Sequence, residues 1–235
     1  MRKLISFCLH GDKDKYCKGF RKNVTLSRKI YPEWEVVLFY DNTVPDHWIK
    51  KYKRAGVDLH NVDGCGLHPT SYRFLACELP EVERIIFRDA DSRVSDREAE
   101  AVKDWEESDA GLHAMRDHPN HINPMYPLFA GMWGVLPSKL DIDIRQSILS
   151  YQGPIDPLDV RQKWGIDQHF LRDAILPKFI FPRSILLHSS YDNPHIDEDF
   201  VRNFPSVRNK NNNFVGEIFD FIDGKEERGP QWKDL

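Results

Sequence analysis

The chain has 235 residues, 40% of them hydrophobic and 30% charged, enough for one α/β domain with a sizeable core and too few for two ordinary domains. Its 33 Lys and Arg face 37 Asp and Glu, a formal charge of -4, so no basic field is available to hold a nucleic acid by its phosphates. The four cysteines, Cys8, Cys17, Cys65 and Cys77, form no CxxC pair, which argues against structural zinc and for reduced thiols in a cytoplasmic protein.

Behind Met1-Arg2-Lys3, residues 4–9 form an apolar run that begins like a signal peptide. His10-Gly11-Asp12 ends it after about six residues, short of the roughly 7–15 that a signal requires, so it reads as a first buried strand. No apolar stretch approaches the ~18 residues of a membrane span, and none is expected. Residues 16–31 carry Phe20, Val24, Leu26 and Ile30 at a period near 3.6, predicting an amphipathic helix that stops before Pro32. Residues 35–40 follow as a second strand. After the turn residues Asp41-Asn42-Thr43, residues 44–55 read as a helix closed by Gly56, and residues 57–62 as a third strand. This alternation predicts βαβ units and a mainly parallel central sheet flanked by helices.

Residues 71–79, between Pro69 and Pro80, predict a short helix, and residues 84–87 a buried central strand. Helix is expected over 99–107, strand over 110–115, a glycine-interrupted strand over 129–136, and helix over 167–175 up to Pro177. Residues 179–181 and 185–188 read as extended, residues 209–213 as an asparagine-rich loop, and Trp232 as folding the tail back. With no repeat and no linker, the expectation is one domain over 1–235, with a nucleotide-binding half over 1–91 and an acceptor- and sugar-binding half with its tail over 92–235.

The strand at 84–87 delivers Arg88-Asp89-Ala90-Asp91 at its C-terminal end, the edge at which open α/β sheets bind ligands. In an extended segment residues i and i+2 point the same way, so Asp89 and Asp91 can converge on one cation, and hard carboxylate oxygens suit Mg²⁺ or Mn²⁺. A nucleoside-diphosphate leaving group needs such an ion to neutralise the charge that develops on it. Isolated DxD triplets also arise by chance in solvated turns. The placement after an apolar strand gives this one its weight.

The segments SFCLHGDKDKYCKGFRKN, IYPEW, YDNTVP, SYRFLACELPEVERIIFRDADSR, HAMRDHPNH, GMWG and GIDQHFL occur in that order and cover most of the chain. Together they resemble GT-A glycosyltransferases, in particular small enzymes of large algal viruses and of bacteria that build surface glycans. The resemblance implies a nucleotide-sugar donor, with UDP-sugars favoured, and a glycan or other hydroxyl acceptor. It makes Asp89 and Asp91 the metal and diphosphate motif, with Asp91 the direct ligand and Asp89 shared with the donor ribose or a water. His188 matches the histidine that commonly completes such a metal site, although the family's usual following Asp or glycine-rich run is replaced here by Ser189-Ser190.

In the same fold the loop His10-Gly11-Asp12 and Asp41 are placed to meet the nucleobase and ribose, with Gly11 allowing close approach. Arg73 resembles a basic residue aimed at the donor; its alternative is a solvated helix face. Asp117 is expected to hydrogen-bond donor hydroxyls from a loop around His118 and His121, where Pro119 rules out a helical zinc motif. Asp167 is the candidate base for an acceptor hydroxyl, or a contact to the donor sugar; otherwise it is an acid in the first turn of a helix. Two other classes fit part of the pattern: a sugar nucleotidyltransferase, whose glycine-rich basic loop is missing, and a non-catalytic carbohydrate-binding domain, against which the intact DxD and Asp167 count.

Overall fold

Apolar residues occupy both faces of the first strand, which is what a strand covered on both sides requires. In the computed structural model, which describes residues 1–154, 165–192, 197–208 and 214–229, β1 (Arg2–Leu9) pairs in parallel with β2 (Glu35–Tyr40) and with β4 (Val82–Arg88). β3 (Asp58–Asn61) extends the sheet beyond β2. On the other side lie β5 (Leu112–Arg116), β6 (Met132–Val135), β7 (Ile185–Ser189) and β8 (Val201–Arg202), giving the order β3-β2-β1-β4-β6-β5-β7-β8. Among the described residues of this sheet, only β6 runs against its neighbours, β4 and β5. The fold is therefore α/β with a mainly parallel central sheet, as the alternation of elements predicts.

Period-2 alternation divides the core between the two faces. Leu4, Ile85 and Phe87 point to one side with Phe74, Trp133 and Phe170, while Ile5, Phe7, Leu9 and Ile86 point to the other. The second face is covered by α1 (Asp14–Ile30), α2 (Asp46–Arg54) and α3 (Asp96–Glu106) through Phe20, Val24, Trp48, Tyr52 and Trp105. The first is covered by a 3₁₀ helix over Pro69–Glu78, by α4 (Ile144–Gln152) and by α5 (Ile166–Phe170).

Several elements differ from their sequence expectation. The helix expected at 71–79 is this 3₁₀ helix, which sets the side chain of Arg73 into the protein rather than onto a solvated face. Residues 179–181 are not extended. Phe179 and Ile180 belong to a short helix, α6 (Pro177–Ile180), because Pro177 sits at a first helical turn, where its missing N–H costs nothing, instead of stopping the preceding helix. A hairpin, β9 (Phe219–Ile222) with β10 (Lys225–Arg228), has no counterpart in the expectation. Its turn residues Asp223 and Gly224 both have positive φ, the Asp-Gly signature of a type I′ turn. The loop at 209–213 and Trp232 lie outside the described residues. Among the described residues no helix is long and apolar enough to cross a membrane.

The strand order decides where a ligand can enter. From β1 the chain proceeds through β2 and β3 to one edge, then returns to β4 on the opposite side of β1. Such a reversal opens a crevice at the C-terminal ends of the two central strands. Here those ends are Leu9-His10 and Arg88-Asp89.

Candidate active site

β4 ends at a fully buried ion pair. Arg88 Nε donates to Glu98 Oε1 at 2.6 Å, and the Tyr31 hydroxyl donates to the same oxygen at 3.0 Å. Immediately beyond it the strand pairing ceases, and α1 takes over the polar backbone. Asn23 Nδ2 donates to the carbonyl of Ser92 at 2.8 Å while its Oδ1 accepts from the Val94 N–H at 3.2 Å. One turn earlier on the same helix, Gly19 lies so close that an added Cβ would stand 2.3 Å from the carbonyl oxygen of Ala90. Gly19 and Asn23, at i and i+4, thus form a docking face for the Asp89-Ala90-Asp91 backbone. From the other side the Phe219 N–H donates to the carbonyl of Asp91 at 2.8 Å, and Ile218 bridges to Ser92. The new hairpin is held by Arg93 Nε on Glu226 at 2.7 Å and by Lys22 on the same carboxylate.

A cavity of about 420 Å³ opens over this segment. Its floor is Cys8 and Leu9 at the end of β1 with His10 just beyond, and Asp89, Ala90 and Asp91 in the turn that follows β4. Its walls come from Thr70 and Arg73, from residues 129–132, from Gly165, Asp167 and Gln168, and from Gly216 and Ile218. Asp89 and Asp91 therefore share one cavity, although they lie in a turn beyond β4 and not in the extended segment that the i, i+2 expectation assumed. Gly131 makes room for the first of them: a Cβ there would fall 2.0 Å from Asp89 Oδ2. Cys8 is no nucleophile, because burial pushes its thiol up to about 11 and keeps it protonated.

Arg73 organises the acids. Buried at 4% exposure, it donates to Asp89 Oδ1 through Nη1 and to Asp167 Oδ2 at 2.9 Å through Nη2, while Nε donates to the Thr70 carbonyl at 3.2 Å. The guanidinium fork thus couples a carboxylate at the end of β4 to one at the start of α5, 78 positions apart in sequence (167 − 89 = 78). Asp167 also accepts from the Gln168 N–H at 3.0 Å. Burial raises the Asp167 carboxyl above the usual carboxylate range, Arg73 opposes that rise, and the nearby Asp89 adds to it. Burial likewise raises Asp91, with Asp89 adding to the shift, against the pull of Lys15, whose Nζ lies 2.9 Å from Asp91 Oδ2.

The other expected site residues divide. His10 lines the cavity and is exposed. Gly11 has a positive φ of 71° and donates its N–H to Thr43 Oγ1 at 2.6 Å; nothing crowds its missing Cβ, so backbone conformation rather than close approach is what requires glycine. Asp41 accepts from the Thr43 N–H at 3.0 Å and from the Tyr72 hydroxyl at 3.3 Å, fixing the loop after β2. Asp12 is exposed, and neither Asp12 nor Asp41 lines the cavity.

Two expectations are corrected. His188 is fully buried away from the cavity, and both ring nitrogens are engaged: Nδ1 with His113 Nε2 and Nε2 with Asp104 Oδ2, each at 2.9 Å. No nitrogen is left to bind a metal, because β7 lies two strands beyond β6 and its end faces α3 and β8. Asp117 is also fully buried; Arg97 Nε and Nη2 reach its two oxygens at 2.9 and 3.0 Å, Ser190 donates to it, and the Val215 N–H donates at 3.0 Å. It anchors the C-terminal segment instead of facing a sugar. The residues that sequence reading passed over are Lys15, Gly19, Asn23, Gly216 and Ile218. Gly19 and Asn23 at i and i+4 on a helix after strand one were the available signal. Gly216 and Ile218 gave none, since their role depends on a hairpin returning from the far end of the chain.

No family model matches the sequence, and no curated protein matches it. Among solved structures the chain is similar to S. aureus TarS 1–349, at TM-score 0.43 and 15% identity over 63% of this chain and 54% of that one. The same protein in complex with UDP gives TM-score 0.44 at 15% identity with the same coverage. A further crystal structure of S. aureus TarS gives 0.42 at 15% identity, covering 63% of this chain and 32% of that one. The chain thus spans about half the length of TarS 1–349.

Proposed function

We propose that this chain is a GT-A-type glycosyltransferase that moves a sugar from a nucleotide-sugar donor, a UDP-sugar by preference, to a hydroxyl of a glycan or similar acceptor. The observation that carries the reading is the convergence of Asp89, Asp91 and Asp167 on one cavity at the reversal point of the sheet, with Arg73 bridging Asp89 to Asp167. Asp89 and Asp91 suit Mg²⁺ or Mn²⁺: such ions take one or two carboxylates and complete their shell with substrate phosphates and water. Among the described residues no cluster of three or more metal-binding side chains occurs, so an open site completed by substrate fits better than a closed structural one. When bound, the ion supplies charge neutralisation to a departing nucleoside diphosphate.

Within the cavity, Asp167 is the group to take the proton from an acceptor hydroxyl. Burial raises its affinity for a proton and Arg73 fixes its orientation, which makes it a positioned base rather than a solvated carboxylate. Gly131 and Gly216 leave the wall beside Asp89 and Met132 free of side chains. The test is a thermal-shift screen of UDP-, GDP- and dTDP-sugars with and without Mn²⁺. One donor should stabilise the protein only with metal, by about 2.7 kcal/mol at a hundredfold excess over its Kd. Equal shifts in EDTA, or no shift with any donor, would remove the proposal.

A further inference from the structure

Lys15 is out of place by local rules. It lies in the first turn of α1, where the helix dipole favours acids, as Asp14 beside it illustrates. Its ammonium reaches across to Asp91 Oδ2 at 2.9 Å and lies 5.4 Å from the centre of the Tyr16 ring. Asp91 is 8% exposed and shares its cavity with a second carboxylate, so its charge requires a cation close by. Arg73 does not serve it, since that fork is committed to Asp89, Asp167 and two carbonyls. Among the described residues Lys15 is the cation in contact with Asp91.

The two basic residues differ in how firmly they are held. The Arg73 side chain is 5% exposed and bound at every nitrogen, a fixed part of the wall. The Lys15 side chain is 26% exposed, makes one ion pair, and ends in a compact charge on a flexible four-carbon stem. It can leave by rotating its own bonds, with no change in the helix or sheet.

We propose that Lys15 is a resident counter-ion occupying the cation position on Asp91, and that a divalent metal must displace it to bind there. This rests on Asp89 and Asp91 being the metal site. A metal in contact with Asp91 Oδ2 would stand against the ammonium now 2.9 Å from that oxygen, and two cations on one carboxylate oxygen repel. Without a metal, Lys15 thereby offsets the charge of Asp91. Metal alone binds weakly, and the freed ammonium becomes available to the phosphates of an incoming nucleotide. Asp89, Asp91 and Asp167 against Arg73 and Lys15 leave one net negative charge, which a divalent ion turns into one net positive charge that attracts phosphate.

The experiment is a calorimetric titration of the nucleotide-free protein with Mn²⁺, comparing wild type, Lys15→Met, Lys15→Arg, Lys18→Met and Asp91→Asn. Lys18 pairs with Asp14 one turn along the same helix and controls for the mere loss of a positive charge. Lys15→Met should tighten Mn²⁺ by about tenfold or more, the difference made by removing a competitor worth roughly 1.4 kcal/mol. Lys15→Arg should not tighten it, and Lys18→Met should change it less than about threefold, as expected of a screened surface charge. A Mn²⁺-loaded crystal should show Lys15 Nζ beyond ion-pair distance from Asp91. Unchanged or weaker binding in Lys15→Met, with wild type binding and Asp91→Asn not, would overturn the displacement while leaving the metal site intact. If wild type and Lys15→Met both fail to bind Mn²⁺, or Asp91→Asn binds it as wild type does, the metal reading falls and the displacement with it.

Discussion

Two clusters of acids and bases sit at the C-terminal edge of the same sheet, and they differ in what is left over. At β5, β7 and β8, Asp117 is surrounded by Arg97, Ser190 and the Val215 N–H, and His188 by His113 and Asp104, with Arg202 closing on Asp104 at 2.6 Å. Asp117, His113 and His188 are fully buried, and none of them lines the cavity. At β1 and β4, three acids share a cavity, two of them have carboxyls raised by burial, and one oxygen of Asp89 faces the space that Gly131 leaves open. Both clusters contain the residue types of an active site. In the first, both Asp117 oxygens and both His188 nitrogens are engaged and the C-terminal segment is held in place; the second keeps unspent charge where a ligand can reach it.

The sharpest way to break that distinction is to remove one acid from each cluster. Asp91→Ala should abolish transfer, the loss of several kcal/mol of charge stabilisation at the leaving group, while leaving the urea midpoint close to wild type. Retained turnover with Mn²⁺ would place the chemistry elsewhere. Asp167→Asn should cut kcat by about 10²–10⁴ with donor affinity kept, because the amide holds the shape but cannot take a proton. Its stability at pH 7 should be undiminished: the native carboxyl is raised by burial, so ionising it disfavours the fold as pH rises through that range. Steady-state kinetics paired with urea denaturation checks both halves.

In the cluster around Asp117 the effects should reverse. Asp117→Asn leaves the Arg97 guanidinium, whose side chain is 9% exposed, without its charge partner and should cost about 3–5 kcal/mol in urea unfolding, with Mn²⁺ affinity unaltered. A smaller effect should come from pH. Burial lowers His113 well below the ordinary histidine value, lowers His188 against the pull of Asp104, and pushes His121 down to about 3. Such groups give stability that is complete above the unfolded histidine value of about 6.5 and is lost as pH falls toward the folded values, since only the unfolded chain takes up protons there. The urea midpoint should therefore decline between pH 7 and pH 5, and a flat profile would show that these histidines are solvated.

Much of the α/β plan was legible because burial on both faces of a strand leaves a direct mark on composition. Residues 4–9, 35–40 and 84–87 are apolar runs whose neighbours could only be other strands and covering helices, and the DxD at the end of the last run needed no more than strand direction to be placed. Periodicity also drew α1 to within two residues at its start. It could not reach the short 3₁₀ segment at Pro69–Glu78, where the pattern of a helix and of a tighter turn look alike, nor the hairpin at 219–228, which packs through charged residues and a backbone bond to Asp91.

What the sequence determined by itself was therefore local: strand and helix period, and the strand end that presents Asp89 and Asp91. Tertiary structure alone decided which distant acids share a space. It set Arg73 between Asp89 and Asp167, Lys15 on Asp91, and Asp117 and His188 inside closed networks, because hydrogen-bond saturation depends on partners brought from other strands and helices, and no spacing along one chain segment records whether a side chain's last oxygen or nitrogen has been taken.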